Sequence, residues 1–139
     1  MKNMNIGIVI ITHGNIGHEM TKVVETITNE KSGFICVSVD HNSPLEFISK
    51  NIHAAIEQVK TTEGVLVLTD IFGATPCNEC VPLLSNKDIQ IVAGVNLPML
   101  MKIATHMLPS NLLEAAHFIQ NYGKNNILDV RDLCQKVGK

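Results

Sequence analysis

The sequence predicts an α/β protein, built as an open, doubly wound and mainly parallel sheet with helices on both faces. Four continuous apolar runs have the composition of strands that are covered on both sides. Between the first three of them, apolar residues recur with the spacing of one helix face. A steady alternation of strand and helix implies right-handed crossovers between parallel strands. Together these observations indicate one sheet with two covered faces.

The four apolar runs are the predicted strands of this sheet. They are too uniformly apolar for strands with one face in water, whereas a parallel strand between two helical layers requires this composition. In chain order they cover residues 6–12, 34–40, 64–70 and 89–94.

Two long helices are predicted between the first three strands. The apolar residues that form the face of the first are Ile16, Met20, Val23, Val24 and Ile27. Those of the second are Leu45, Ile48, Ile52, Ile56 and Val59. Ser43 as N-cap, Pro44 as first helical residue and Glu46 as reciprocal partner predict a capping box at the start of the second helix.

Shorter elements complete the predicted chain. Thr75-Pro76 predicts a short helix to about residue 84, and Asn96 with Pro98 predicts another to about residue 107. Asn111 predicts the cap of a further helix that ends near residue 123. A short apolar run at 127–130, containing Ile127, Leu128 and Val130, predicts one more strand.

Length, charge and composition exclude several classes of function. The chain has 139 residues, so we expect a single domain over 1–139, with a core at about 6–123 and a C-terminal strand and tail at 124–139. Its net charge of −2 and its 4% aromatic residues disfavour nucleic-acid binding. No secretory signal or apolar run of ~20 residues is evident, so we expect a cytoplasmic protein without membrane insertion. The four cysteines are expected to be reduced.

Candidate chemistry lies at the ends of the strands, where ligands bind in sheets of this kind. His13 follows the first strand and Asp70 follows the third. A carboxylate that accepts a hydrogen bond from one imidazole nitrogen leaves the other as a nucleophile. Alternatively, His13 is an ordinary loop residue and Asp70 caps its own turn. Gly14, Gly73 and Thr75 offer donors suited to an anion such as a phosphoryl group.

Three segments in this order closely resemble the mannose-type enzyme IIA family of the bacterial sugar phosphotransferase system, which includes mannose, fructose and sorbose components. They are Ile8 to Gly14, Gly64 to Asn78 and Val92 to Leu100. The resemblance extends from Ile6 to about Gly123. It implies a four-stranded parallel sheet of order 2-1-3-4 and a homodimer that exchanges a C-terminal antiparallel strand, for which the run at 127–130 is the candidate.

The resemblance also implies a phosphohistidine carrier. His13 would accept a phosphoryl group from the phosphocarrier protein HPr and pass it to a histidine of enzyme IIB. Through enzyme IIB the chain would work with the membrane components IIC and IID. His13 and Asp70 would be the catalytic residues, with no cofactor and no metal. The expected phosphate-binding residues are Thr12, Gly14, Thr69, Ile71, Phe72, Gly73 and Thr75. The transported sugar is not encoded in this chain.

Three alternatives remain open from the sequence. The first is the phosphotransfer subunit of dihydroxyacetone kinase, which has the same fold. The second is a regulatory phosphorylation sensor. The third is a thiol or metal module built on Cys77 and Cys80, but their CxxC is weak as a redox or zinc motif, and packing near a short helix is the simpler interpretation.

The sequence departs from the family at Gly73-Ala74. The family usually has a pair of glycines here, so Ala74 adds a methyl group near the site.

Overall fold

A computed structural model describes residues 5–137, which form a parallel four-stranded sheet between two layers of helices. The strands are β1 (Gly7–His13), β2 (Ile35–Val39), β3 (Val65–Thr69) and β4 (Ile89–Ala93). They lie in the order β2-β1-β3-β4 with every neighbouring pair parallel. The predicted fold class and strand order are confirmed.

Six α-helices and one 3₁₀ helix connect or follow these strands within residues 5–137. They are α1 (Ile16–Thr28), α2 (Leu45–Val59), α3 (Thr75–Asn78), the 3₁₀ helix Val81–Ser85, α4 (Leu97–Thr105), α5 (Leu112–Asn125) and α6 (Val130–Val137). No helix among the described residues is both long enough and apolar enough to span a bilayer.

β1 explains why the sheet needs helices on both sides. Ile8 and Ile10 belong to a core that contains residues of α1, α4 and α5. Val9 and Ile11 point the other way, into a second core that contains residues of α2. Because successive side chains of a strand alternate between faces, a continuous apolar run is stable only when both faces are covered.

The helix starts follow local capping chemistry in two of the predicted cases. Oδ1 of Asn96 accepts a hydrogen bond from the backbone N–H of Met99 at 3.1 Å and caps α4. Oδ1 of Asn111 accepts from the backbone N–H of Glu114 at 3.0 Å and caps α5. Side-chain oxygens at this position satisfy N–H groups that have no partner inside the helix.

Two predicted helices differ from the structure, one at its start and one at its end. The capping box at α2 is wrong: Pro44 occupies the N-cap position, and no side-chain hydrogen bond caps the helix. The helix predicted from Thr75-Pro76 begins at Thr75 but stops after four residues, and the chain continues as a 3₁₀ helix that contains Pro82. The second proline has no N–H to donate, so it does not extend the α-helical ladder.

The predicted C-terminal strand is absent from the structure. Residues 127–129 have no regular secondary structure, and Val130–Val137 form α6. Ile127, Leu128 and Val130 are all exposed. An apolar run of three residues does not distinguish a strand from a helix start, and within the described chain no sheet edge pairs with it.

A buried threonine at the end of β1 holds the start of α1. The Thr12 side chain is 1% exposed, and its hydroxyl oxygen accepts a hydrogen bond from the backbone N–H of Gly17 at 2.9 Å. Asn15, the N-cap residue, makes no capping bond of its own. A Cβ at Gly17 would lie 2.9 Å from Cγ2 of Ile10, so glycine lets the helix approach the strand closely.

Thr69, at the end of β3, is buried in a different way. Its carbonyl oxygen accepts from the N–H groups of Gly94 and Val95, which fixes the loop after β4. Its side chain is 0% exposed, and among the residues described its hydroxyl has no hydrogen-bond partner. Thr12 and Thr69 are therefore two buried threonines that differ in one respect: within residues 5–137, the Thr12 hydroxyl takes part in a hydrogen bond and the Thr69 hydroxyl does not.

Replacing each threonine by the isosteric valine separates the two roles. Thr12→Val is expected to lower the free energy of unfolding by about 1–2 kcal/mol, because the Gly17 N–H loses its partner. Thr69→Val is expected to be neutral or stabilising, because it removes an unsatisfied buried hydroxyl. Urea unfolding of both variants checks this, and equal destabilisation by the two would contradict it.

Candidate functional site

The pairing of β1 with β3 brings His13 and Asp70 together. Ile11 lies opposite Thr69 in the sheet, so the next residues of both strands emerge at the same edge. Nδ1 of His13 lies 2.9 Å from Oδ2 of Asp70, and the backbone N–H of His13 donates to the same oxygen at 2.9 Å. The backbone N–H of Ile71 donates to Oδ1 at 3.0 Å. The predicted contact is confirmed.

This contact determines which ring nitrogen of His13 is free. An ionised carboxylate only accepts hydrogen bonds, so Nδ1 must carry the proton that it shares with Asp70. Nε2 of the neutral ring then holds an unshared electron pair. The side chain of His13 is 48% exposed, whereas that of Asp70 is 15% exposed. The carboxylate is thus less exposed than the ring that it holds.

The hydrogen bonds keep Asp70 ionised. Burial raises the pKa of the carboxyl group, but the backbone N–H and ring of His13, with the N–H of Ile71, outweigh burial and lower the pKa below its usual range. A carboxylate that accepts several N–H groups is stabilised in its charged form. At neutral pH Asp70 therefore acts as an acceptor only.

A cleft of about 350 Å³ opens beside His13. Gly14 and Thr75, both predicted as phosphate-binding residues, line it. Gly14 has a φ of +51°, a left-handed conformation that favours glycine and turns the chain away after β1. The remaining lining residues are Val39, Asp40, His41, Ser43, Leu45 and Ile48.

The other predicted phosphate-binding residues fall into two groups. Ile71, Phe72 and Gly73 form the loop after Asp70, which is exposed and is tied by a hydrogen bond from the Asn78 side chain to the Gly73 carbonyl. The side chains of Thr12 and Thr69 are buried, and neither is among the residues that line the cleft.

Sequence reasoning missed the contribution of β2. Asp40, His41 and Ser43 line the cleft because they follow β2, which lies next to β1. Val39 is the sheet partner of His13, and its carbonyl accepts from the Gly14 N–H at 3.1 Å. The predicted strand order was enough to find these residues, because in an order 2-1-3-4 the end of the second strand also borders the crevice.

The cysteine pair is packed, as the simpler interpretation predicts. Cys77 and Cys80 are buried, and the Cys80 thiol donates to the carbonyl of Pro76 at 3.1 Å. Burial, followed by the nearby Cys77 and Glu79, raises the pKa of Cys80 to about 12. A protonated, buried thiol is a poor nucleophile and metal ligand. Within residues 5–137, no group of three His, Cys, Asp or Glu side chains is placed to hold a metal ion.

Comparison with known proteins identifies the family. The family model described as "PTS system fructose IIA component" (EIIA-man) matches residues 7–120. The chain belongs to this family. PTS stands for the sugar phosphotransferase system, and its enzyme IIA components are phosphotransferases in general.

Relatives of the EIIA-man family carry sugar-specific names. The chain is 32% identical over 100 residues to the "PTS system sorbose-specific EIIA component" of Lacticaseibacillus casei, covering 71% of this chain and 72% of that protein. It is 31% identical over 100 residues to the "PTS system mannose-specific EIIAB component" of Escherichia coli K12, covering 71% of this chain but only 31% of that longer protein. These names favour the sugar system over the dihydroxyacetone kinase and regulatory alternatives.

Solved structures agree with the fold. The "Mannose/sorbose specific IIA subunit of phosphotransferase system from Enterococcus faecalis" superposes with a TM-score of 0.81 at 24% identity, covering 91% of this chain and 95% of that one. The "phosphotransferase system component EIIA from Streptococcus agalactiae" gives a TM-score of 0.79 at 21% identity, covering 91% and 98%.

The Asp70 contact predicts how stability depends on pH. Folding lowers the pKa of Asp70 below the ordinary aspartate value of 3.8. The ionised carboxylate therefore stabilises the folded state above pH 3.8, and this stabilisation is lost as the pH falls through the lower pKa of the folded protein. Asp70→Asn is therefore expected to lower the free energy of unfolding by about 1 kcal/mol at pH 7, and the difference from wild type is expected to shrink toward pH 3.

The measurement is urea unfolding at a series of pH values. Asp40→Asn is the matched control, because it removes a carboxylate from the same cleft. A deficit of Asp70→Asn that stays constant down to pH 3, or that Asp40→Asn shares, would contradict the assignment.

Proposed function

We propose that this chain is a phosphohistidine carrier: Nε2 of His13 accepts a phosphoryl group from phospho-HPr and passes it to an enzyme IIB. The observation that carries the proposal is the His13–Asp70 pair, which holds the proton on Nδ1 and leaves Nε2 unprotonated on a half-exposed side chain. Membership of a family of enzyme IIA components supports it.

The transfer step balances without a cofactor. The electron pair on Nε2 of His13 forms a bond to phosphorus while the bond between phosphorus and the donor histidine nitrogen breaks, and that nitrogen takes the released pair. The Nδ1 proton stays in the hydrogen bond to Asp70, which stabilises the positive ring formed on attack. Asp70 is a positioning residue, because it touches the ring and not the phosphoryl group. Delivery to IIB reverses these events.

Positioning supplies much of the rate in such a reaction. Phosphoryl transfer passes through a loose transition state, so catalysis depends on alignment and on donors around the phosphoryl oxygens. Thr75 and Gly14 line the cleft, and the Thr75 hydroxyl is the proposed donor. The Gly14 N–H already donates to the carbonyl of Val39, so glycine at this position is proposed to leave room for the phosphoryl group. Gly73 is proposed to contribute through its backbone N–H, whereas the N–H of Ile71 donates to Asp70 and acts by holding the carboxylate in place.

The surface around His13 suits two partners in succession. Phe72 is 79% exposed and Ile71 is exposed beside it, directly after the carboxylate that holds His13. Small apolar contacts of this kind support weak complexes that exchange quickly. We propose HPr and IIB as the successive occupants, IIC and IID as the downstream membrane components, and a cytoplasmic homodimer as the working form.

Labelling tests the carrier role. Wild type incubated with phosphoenolpyruvate, enzyme I and HPr is expected to take up one acid-labile phosphoryl group, and His13→Ala none. His53→Ala is the matched control, because His53 is exposed on α2 and does not line the cleft. Full labelling of His13→Ala, or none in wild type, would overturn the proposal.

Kinetics tests the positioning role of Asp70. Asp70→Asn replaces an acceptor by an amide that can also donate, so the ring tautomer and orientation are no longer fixed. The rate of transfer from phospho-HPr is expected to fall by about 10- to 100-fold, while circular dichroism shows a folded domain. Stopped-flow quench measurements check it, and an unchanged rate would remove Asp70 from the mechanism.

A further inference from the structure

His41 is presented to the cleft by a tight turn after β2. The backbone N–H of Ser43 donates to the carbonyl of Asp40 at 3.1 Å, so residues 40–43 close a turn with His41 at its first central position. An aspartate is favoured as the first residue of such a turn. The turn starts one residue after Val39, the sheet partner of His13.

Two histidines therefore line one small cleft. His13 enters it from β1 and His41 from the turn after β2. The hydrogen bond from Gly14 to the carbonyl of Val39 ties the two strand ends together and fixes the relation between them. His41 is exposed and lines the same cleft as His13, so its ring is accessible to a group bound there.

The side chains that line the cleft carry little positive charge to balance a bound anion. Asp40 lines it, and Asp70 lies bonded to His13. Among the described residues that line the cleft, none is lysine or arginine, and His41 is the one side chain besides His13 that can become positive. A phosphoryl group adds about −1.5 to −2 charges at pH 7, so it would meet two carboxylates with little to offset them.

We propose that His41 binds the phosphoryl group carried on His13, with its protonated ring donating an N–H hydrogen bond to a phosphoryl oxygen. This rests on the proposed function and deepens it by adding a residue to the same site. A charge-assisted hydrogen bond to a phosphoryl oxygen is stronger than a neutral one. It also offsets repulsion from the nearby carboxylates.

A histidine suits a relay better than a permanently charged residue. The phosphoryl group must leave for IIB after it has arrived, so a ligand that holds it too tightly would slow delivery. Histidine is the side chain whose ordinary titration falls near neutral pH, which makes its charge partial there. Arginine at this position would bind as a fixed cation.

A pH experiment on His41 must separate its effect from those of the other ionisable groups at or near the cleft. His13 and Asp40 line the cleft with it, Asp70 is bonded to His13, and the first turn of α2 carries Glu46. His18 is engaged elsewhere, with its Nδ1 3.1 Å from the hydroxyl of Ser38. Because wild type and variant share these groups, the informative quantity is the ratio of the variant rate to the wild-type rate at each pH.

The test compares His41→Gln with wild type and with His53→Gln, which removes a histidine from the exposed face of α2. Glutamine keeps a neutral N–H donor but cannot become charged. The quantity measured is kcat/KM for acceptance from phospho-HPr at pH 6 and pH 8. At pH 6 His41→Gln is expected to be about fivefold slower than wild type, with less than about twofold at pH 8, while His53→Gln matches wild type at both.

The outcomes separate this inference from the carrier role. If wild type accepts no phosphoryl group on His13, the proposed function fails and the inference falls with it. If wild type is labelled but His41→Gln has the wild-type rate at both pH values, only the inference is overturned. An equal loss at pH 6 and pH 8 also overturns it, because that loss does not depend on charge. Thermal unfolding of His41→Gln confirms that the comparison is between folded proteins.

Discussion

Parallel pairing between β1 and β3 determines the distance between His13 and Asp70, because both residues follow strands whose register is fixed by the ladder between them. A slip of one residue would turn each apolar side chain to the opposite face, so two buried cores enforce this register. The carboxylate then accepts from the His13 ring, the His13 backbone and Ile71. The His13 ring is thus oriented by the sheet itself.

The site combines a rigid base with an open surface. Asp70 is partly buried and accepts three N–H hydrogen bonds, which hold it ionised, while the side chain of His13 stays half-exposed. Ile71 and Phe72, which directly follow the carboxylate in the chain, are exposed. The proposed carrier role needs this separation, since the chemistry of a carrier must stay fixed while its partners change.

The sequence was sufficient for the sheet and for the central pair. Continuous apolar runs occur where both faces are covered, and Asn96 and Asn111 cap helices where their side chains predict it. It was insufficient where several local solutions compete. The run at 127–130 is too short to show a periodicity that distinguishes a strand from a helix. At the start of α2, Pro44 is the N-cap residue in place of the predicted capping box at Ser43. The role of β2 in the cleft required the strand order to be applied to every strand end.

The most direct test of the account is the identity of the phosphorylated ring nitrogen. Phosphorus and nitrogen NMR of the protein labelled through enzyme I and HPr distinguishes the two positions on the imidazole. Because Asp70 holds the proton on Nδ1, the account predicts the phosphoryl group on Nε2 of His13. A phosphoryl group on Nδ1, or on another histidine, would contradict it.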